Sequence, residues 1–159
     1  MLTGSVALAV YATPRLTRDV DVVIACGPSD AGSLVAAFEA DSYVSAEAVA
    51  EALSSQGMFN IIHEAWVIKA DFIVRKDDAY RLAEFERRRT VDLGGFTASF
   101  VAPEDLILSK LVWARTTGSE VQRRDVRELL AAVPDLDWDY LRAWAPRLGV
   151  WGELEHECR

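Results

Sequence analysis

The fold of this protein follows from one short segment, Asp19-Val20-Asp21-Val22-Val23-Ile24. Its residues are mostly β-branched, and acidic and apolar positions alternate at its start, which predicts a β-strand whose two faces differ. Residues two apart in a strand point to the same side, roughly 6.6 Å apart along the chain. Asp19 and Asp21 therefore present two carboxylates on one face.

These two carboxylates predict either a metal site or a protected sheet edge. They repel each other unless a cation lies close by, and their oxygen atoms suit Mg²⁺ or Mn²⁺, which complete their shells with water and phosphate. Solvated acids on an exposed edge strand, where they oppose aggregation, are the alternative. The acidic pair alone leaves both interpretations open.

Upstream of the acidic strand, Gly4-Ser5 opens a small, apolar segment that extends to Ala12. The segment is typical of a buried helix, which Thr13-Pro14 ends because proline disfavours helical geometry in the residue before it. Glycine permits close approach of a backbone, a serine hydroxyl can bind a phosphate oxygen, and a helix N-terminus attracts anions. We expect a phosphate site beside the acids; an ordinary N-capping serine is the alternative.

A third acid, Asp71, interrupts the otherwise apolar end of the segment from Val67 to Val74. We expect it to complete a trio of carboxylates and, with metal assistance, to take the proton from an attacking hydroxyl. An acid on an edge strand, or a partner to Arg75, is the alternative.

The rest of the chain changes character near residue 102. We expect helices at 30–41, 46–54 and 77–87, strands at 58–63, 67–74, 90–93 and 96–101, and then helices at 103–116, 121–133, 137–145 and 150–157. This order indicates an α+β fold, with a mixed β-sheet flanked by helices and a C-terminal helical cluster. Residues 1–102 would carry the sheet, and residues 103–159 would pack on it in a single compact unit.

Composition restricts the partners. A net charge of −8 over 159 residues disfavours broad wrapping of nucleic acid. The basic stretch from Arg75 to Arg89 is either a local phosphate-facing patch or, more simply, a solvated helix face. Cys26 and Cys158 predict no structural disulfide. No apolar run approaches the ~20 residues of a membrane span, so we expect no membrane partner and a cytoplasmic location.

The Gly-Ser element, the acidic strand and the later strand aspartate together resemble the polymerase-beta-like nucleotidyltransferase superfamily. More narrowly, the sequence looks like the bacterial AbiEii-like and minimal nucleotidyltransferase proteins, some of which are toxins or antitoxins. The segments that carry this resemblance are Gly4-Ser5-Val6-Ala7, Arg15-Leu16-Thr17-Arg18-Asp19-Val20-Asp21, Lys69-Ala70-Asp71-Phe72, Pro103-Glu104-Asp105-Leu106-Ile107, Lys110 and Arg124-Asp125.

The resemblance implies a nucleotidyltransferase fold and a Mg²⁺- or Mn²⁺-dependent enzyme that uses an NTP. It implies that Asp19, Asp21 and Asp71 are catalytic metal ligands and that Gly4 and Ser5 contact the phosphates of the nucleotide.

Three further residues are candidates for nucleotide binding. Lys110 falls on the apolar face of its predicted helix, where its ammonium must reach solvent, pair with an acid or contact a substrate phosphate. Arg15 and Thr17 lie just before the acidic strand and are within reach of the same phosphates. Asp125, in the next helix, would either orient Lys110, bind the nucleotide or pair on the helix surface.

The implied reaction transfers a nucleoside monophosphate to a hydroxyl of RNA such as tRNA, of a protein or of a small molecule. A cognate toxin or antitoxin would be a further partner. Two alternatives stay open: a catalytically silent, antitoxin-like partner-binding protein with the same fold, and an aminoglycoside-type nucleotidyltransferase, whose cationic acceptor would suit the acidic surface.

Overall fold

The structure is a computed structural model that describes residues 1–15, 17 and 19–158. These residues form seven β-strands, eight α-helices and a short 3-10 helix at Pro28–Asp30. The strands are β1 (Leu2–Thr3), β2 (Asp19–Ile24), β3 (Ser42–Val44), β4 (Met58–His63), β5 (Ile68–Val74), β6 (Arg89–Asp92) and β7 (Thr97–Phe100). The helices are α1 (Gly4–Tyr11), α2 (Ala31–Phe38), α3 (Ala46–Ser55), α4 (Ala79–Glu86), α5 (Pro103–Thr117), α6 (Glu120–Ala132), α7 (Trp138–Trp144) and α8 (Trp151–Glu157).

All the strands belong to one mixed sheet with the order β3-β4-β5-β2-β1-β7-β6. β2 runs parallel to β5 and antiparallel to β1, and β4 runs antiparallel to β5. The two strands that carry the aspartates, β2 and β5, therefore have neighbours on both sides. The interpretation of these acids as edge-strand protection is wrong.

The two faces of the β4-β5-β2 part of the sheet differ sharply. Helices α2 and α3 cover one face, where Val49 and Leu53 of α3 form a small core with Phe59 and Phe72 of the sheet. Because side chains alternate along a strand, Asp71, the residue before Phe72, points to the opposite face. The alternation read from the sequence thus separates a buried face from an open one.

A larger core joins α1 to the C-terminal helices. Leu8 of α1, Phe100 of β7, Leu111 of α5 and Leu129 of α6 are all completely or almost completely buried in it. The core fixes the start of α1 against α5, which brings the N-terminal segment and the C-terminal helices to one end of the open face. Within the described part of the chain, every helix is too short or too polar to span a membrane.

Buried carboxylates connect α4 to the C-terminal helices. The Arg87 guanidinium lies 2.8 Å from Glu104 Oε2 and 3.1 Å from Asp105 Oδ2, and Arg81 lies 2.8 Å from Glu84. Arg81 and Arg87, both in the Arg75–Arg89 stretch, therefore bind acids of the protein itself. For these two arginines, neither a free phosphate patch nor a fully solvated helix face describes the structure.

The elements lie close to their predicted positions except for the two-residue strand β1, which was not predicted, and the segment between residues 30 and 44. The predicted helix at 30–41 ends at Phe38, and the unpredicted strand β3 follows and pairs with β4. A strand of three residues is too short to show an alternating pattern, so only its partner reveals it. Both cysteines are free, as predicted. Of the residues between Pro14 and Asp19, Leu16 and Arg18 lie outside the described part of the chain.

Candidate active site

The three predicted metal ligands lie together on the open face of the sheet. Asp21 of β2 is in parallel register with Asp71 of β5, so the two side chains project from the same face of neighbouring strands, about 4.8 Å apart. Asp19 lies two residues before Asp21 and shares that face. A parallel pairing between distant segments thus unites acids that are 50 residues apart in the sequence.

The carboxylate of Asp21 is the group most in need of a cation. Burial raises the pKa of Asp21, and the neighbouring charges of Asp71 and Asp19 raise this pKa further. Lys110 and Lys69 oppose the shift, but less strongly. Desolvation and like charge both disfavour the ionised form, and a bound cation would reverse the effect.

Lys69 supplies the cation that two of these acids contact. Its Nζ lies 2.9 Å from Asp71 Oδ2 and 3.7 Å from Asp19 Oδ1. The hydrogen bond to Asp71 raises the pKa of Lys69. Arg75, by contrast, binds Asp77 at 3.1 Å. The alternative that Asp71 partners Arg75 is therefore wrong. No local pattern in the sequence distinguishes Lys69.

The backbone of Gly4 lies directly against the Asp21 carboxylate. Gly4 has a φ of +61°, and a Cβ atom at this position would overlap Asp21 Oδ2. The chain therefore turns from β1 into α1 through a conformation that favours glycine, at a place where only glycine fits. Ser5 is buried and lines the same cavity as Gly4 and Asp21.

Asp125 holds two of the predicted phosphate contacts in place. Lys110 Nζ lies 2.7 Å from Asp125 Oδ2, and Arg15 Nε lies 3.5 Å from the same oxygen. Lys110 also donates to Gln122 Oε1 at 3.0 Å. Lys110 and Asp125 are both buried. The pairing of Lys110 with an acid is thus confirmed, whereas a surface position for Asp125 is wrong.

The charge state of Lys110 depends on this partner. Burial lowers the pKa of Lys110, and the hydrogen bond from Lys110 to Asp125 opposes that shift. The charge of Asp21 also favours the charged form of Lys110. The ammonium is therefore within electrostatic reach of the acidic face, which is the open face of the sheet that carries Asp19, Asp21 and Asp71.

Thr17, the remaining candidate, is engaged locally. The Thr17 hydroxyl accepts a hydrogen bond from the backbone N–H of Asp19 at 3.2 Å. It also lies 3.2 Å from the backbone carbonyl oxygen of Asp19, to which it can donate. Thr17 therefore orders the entrance to β2.

Two adjoining cavities lie beside the acidic face, and Asp21 lines the first of them. The first, of about 230 Å³, is lined by Gly4, Ser5, Asp21 and Lys110. The second, of about 320 Å³, continues from it along the sheet. Residues shared by both are Thr3, Ile73, Ser109 and Trp113. Trp113 is 58% exposed and borders both cavities.

The acidic face fits a divalent cation in ligand type and charge. No three His, Cys, Asp or Glu side chains of the described residues are arranged to hold a metal ion as they stand. The donors nevertheless match Mg²⁺ chemistry, since they are carboxylate oxygens on one partly desolvated face. Lys69 already contributes a positive charge between Asp19 and Asp71. Asp19, Asp21 and Asp71 are the residues that would hold the metal.

The comparisons with known proteins identify the fold. No protein-family model matches this chain, and no curated protein sequence does. The crystal structure of an antigenic nucleotidyltransferase-like protein from Paracoccidioides brasiliensis does match, with a TM-score of 0.52 and 15% sequence identity over 98% of this chain and 82% of that chain. The protein therefore has a nucleotidyltransferase-like α+β fold.

Proposed function

We propose that this protein is a nucleotidyltransferase that moves a nucleoside monophosphate from an NTP to a hydroxyl group. The observation that carries the proposal is the register of Asp21 with Asp71, beside the Gly4 turn that opens α1. This arrangement combines a cation-seeking cluster with an anion-attracting helix start in one cavity. A triphosphate with a divalent metal satisfies both.

The triphosphate would lie in the first cavity. Ser5 and the first N–H groups of α1 would donate to its oxygen atoms, and the helix dipole favours the negative charge. Lys110 lines the same cavity, and Asp125 fixes the position of its ammonium. Arg15, which shares that carboxylate, would contribute a second cation from the loop before β2.

The reaction would be an in-line displacement at the α-phosphorus. A bound Mg²⁺ or Mn²⁺ would supply charge neutralisation for the triphosphate and the departing pyrophosphate. Asp71 would accept the proton of the attacking hydroxyl as its oxygen bonds to the α-phosphorus. As that bond forms, the bond from the α-phosphorus to the oxygen that bridges it to the β-phosphorus would break, and pyrophosphate would leave with that oxygen.

The hydroxyl acceptor would approach along the open face from the side of β4. Asn60 of β4 is paired with Asp71 and is exposed. The next pair on the same strand face, Met58 with Ile73, lines the second cavity together with Trp113. This surface offers polar and aromatic contacts to RNA, to a protein side chain or to a small molecule. The resemblance to AbiEii-like proteins supports a place in a toxin–antitoxin pair, with a cognate partner.

One observation favours a second candidate function. Lys69 neutralises Asp19 and Asp71 without any metal. In a protein that has lost catalysis and serves as an antitoxin-like binding partner, such an ion pair would compensate the charge of these acids without a metal.

Label transfer separates the two functions. The protein is incubated with each α-labelled NTP, Mg²⁺ and a cell extract, and we expect one fraction of the extract to become labelled. Asp71→Asn should reduce transfer by about 10²- to 10⁴-fold, the usual effect of a proton-transfer group. It should leave nucleotide affinity, measured by calorimetry, within a few-fold of the wild type.

Asp139→Asn is the matched control, because the Asp139 side chain is 96% exposed and pairs only with Arg142 in the described residues. Transfer at the wild-type rate by Asp71→Asn would remove Asp71 as the proton acceptor. No labelling with any NTP, together with no nucleotide binding, would favour the silent partner.

A further inference from the structure

Lys69 occupies a particular place in the acidic site. It is paired in register with Asp19 across β2 and β5, and it precedes Asp71 by two residues on the same strand face. Its ammonium contacts both carboxylates, at 3.7 and 2.9 Å. The position between these two acids is also where a divalent cation would meet their oxygen atoms.

The Lys69 ammonium can leave the carboxylates of Asp19 and Asp71 at small cost. The Lys69 side chain is 40% exposed and that of Asp19 is 58% exposed, whereas that of Asp71 is 15% exposed. Solvent therefore reaches the ammonium from the side of Asp19. Exposed ion pairs contribute little to stability, and a lysine has a long stem that moves without disturbing the backbone. Removal of the ammonium from the acids therefore has a small cost.

We propose that Lys69 is a resident counter-ion that competes with the divalent metal for Asp19 and Asp71 and lowers the affinity of the nucleotide-free protein for metal. This inference rests on the proposed function, because it concerns the same carboxylates. A metal and an ammonium that share these oxygens repel each other within a few ångströms. Metal binding then requires the ammonium to leave, and an arriving triphosphate offers it new oxygen partners.

The consequence is a coupling between metal and nucleotide. Metal alone must displace Lys69, whereas metal that arrives with a triphosphate brings the phosphate oxygens with it. Lys69 thus makes the acidic face selective for a metal–nucleotide complex over free metal. The inference assigns Lys69 a positioning role, since it acts through the carboxylates.

Binding of Mn²⁺ without nucleotide tests the inference, with free Mn²⁺ measured by electron paramagnetic resonance. Lys69→Met removes the charge and keeps the length of the side chain. We expect it to bind Mn²⁺ about five- to tenfold more tightly than the wild type, equivalent to about 1 kcal/mol of lost competition from a partly exposed ion pair. Lys69→Arg keeps the charge and should bind no more tightly than the wild type.

Lys76→Met is the matched control. It also removes one positive charge from a net charge of −8, and Lys76 is exposed just beyond the end of the same strand. Its affinity for Mn²⁺ should stay within about twofold of the wild type, because solvent and salt screen distant surface charges. The gain of Lys69→Met should disappear when Asp21→Asn is added, which shows that the metal binds at the acidic face.

The outcomes distinguish this inference from the proposed function. If the wild type binds Mn²⁺ and Lys69→Met binds it equally well, Lys69 does not compete, while the metal site stands. If Lys76→Met gains as much as Lys69→Met, the effect is one of net charge and the inference is overturned. If no variant binds Mn²⁺, with or without NTP, the inference and the metal-dependent function both fail.

Discussion

Gly4 satisfies two requirements with one residue. Its φ of +61° favours glycine, and its Cα faces the Asp21 carboxylate so closely that a Cβ atom would overlap it. The first requirement concerns the turn from β1 into α1, and the second concerns the acidic site. A side chain at this position would therefore strain the fold and displace the proposed metal ligand together.

We expect Gly4→Ala to lower the free energy of unfolding by about 1–3 kcal/mol, because alanine is disfavoured at positive φ and must also push Asp21 aside. The variant should lose the additional stabilisation by Mg²⁺ and NTP. Urea unfolding measures the first effect, and melting curves with and without the ligands measure the second.

Gly32→Ala provides the control. Gly32 lies in α2, and a Cβ atom added there would have no neighbour within 4 Å, so alanine should stabilise this helix by about 0.5–1 kcal/mol and leave the ligand response intact. A Gly4→Ala protein as stable as the wild type would contradict the close approach to Asp21.

Asp21 is both a proposed metal ligand and a carboxylate that its neighbours repel. Burial and the charges of Asp71 and Asp19 raise its pKa, so its ionised form destabilises the metal-free fold. We expect Asp21→Asn to raise the free energy of unfolding in chelator by about 1 kcal/mol, after allowance for solvent screening. It should also abolish the ligand response, which is ~2.7 kcal/mol for a ligand at a hundredfold its dissociation constant.

The two effects of Asp21→Asn have opposite signs, which separates a metal site from an incidental acidic cluster. Thermal unfolding with chelator, and then with Mg²⁺ and NTP, measures both. The exposed Asp139→Asn should change neither. If Asp21→Asn keeps the whole ligand-dependent shift, Asp21 does not hold the metal of the nucleotide.

At the scale of elements, α5 and α6 are connected by one buried ion pair near the proposed triphosphate. Lys110 of α5 and Asp125 of α6 are 2.7 Å apart, and the Asp125 side chain is completely buried. Each residue satisfies the charge of the other. Substitution of one alone leaves a buried charge without its main partner, which costs about 3–5 kcal/mol.

The combined substitution Lys110→Met with Asp125→Leu removes both charges and should recover most of that lost stability. Nucleotide affinity should not recover, because the ammonium is the group that we expect to bind phosphate. Urea unfolding of the single and double variants gives the stability, and NTP titration gives the affinity. A double variant that binds NTP like the wild type would limit the pair to a structural role.

Local sequence patterns were sufficient for the elements that carry the site. The alternation in Asp19-Val20-Asp21-Val22 predicted the strand and the shared face of its acids, because side-chain direction in a strand has a period of two. Glycine at the start of a small apolar helix indicated that the backbone could approach a neighbour closely at Gly4, and the neighbour is Asp21. The helix predicted to begin at Pro103 begins there in the structure.

Contacts between distant segments could not be read in the same way. The parallel pairing of β2 with β5 decides that Asp71 and Lys69 face the acidic strand, and pairing partners leave no local pattern in a single sequence. Trp113 shows a related limit, since a tryptophan among apolar residues of α5 gives no local sign that it is 58% exposed at a cavity. The role of Lys69 appears only when both strands are in register.

At the scale of the whole molecule, a polar network joins the sheet-bearing part to the C-terminal helices. Asp105 at the start of α5 accepts hydrogen bonds from Arg87 Nε at 3.1 Å and from the Tyr140 hydroxyl at 2.6 Å. Glu84 of α4 adds a like charge nearby. Burial raises the pKa of Asp105 to about 6, and the hydrogen bonds from Tyr140 and Arg87 restrain the increase.

This raised pKa sets the sign of a pH effect. Asp105 binds a proton more tightly in the folded state than in the unfolded chain, where its pKa is near 3.8. Its contribution to stability is therefore fully present below pH 3.8 and is lost as the pH rises through about 6. Above that pH, the ionised carboxylate depends on Arg87 and Tyr140 for its remaining stabilisation.

We therefore expect Tyr140→Phe to be more destabilising at neutral pH than at acidic pH. A hydrogen bond to an ionised carboxylate contributes about twice as much as one between neutral groups, so the loss should be about 2 kcal/mol at pH 7.5 and about 1 kcal/mol at pH 4.5. The pKa of Asp105, followed by nuclear magnetic resonance of its carboxyl carbon, should rise further in the variant because the hydrogen bond that lowers it is gone. Tyr43→Phe is the control, since Tyr43 is 60% exposed on β3 and should show no pH-dependent difference. Equal losses at the two pH values would mean that Asp105 keeps one protonation state throughout this range, and that the network joining α4, α5 and α7 does not respond to pH through this residue.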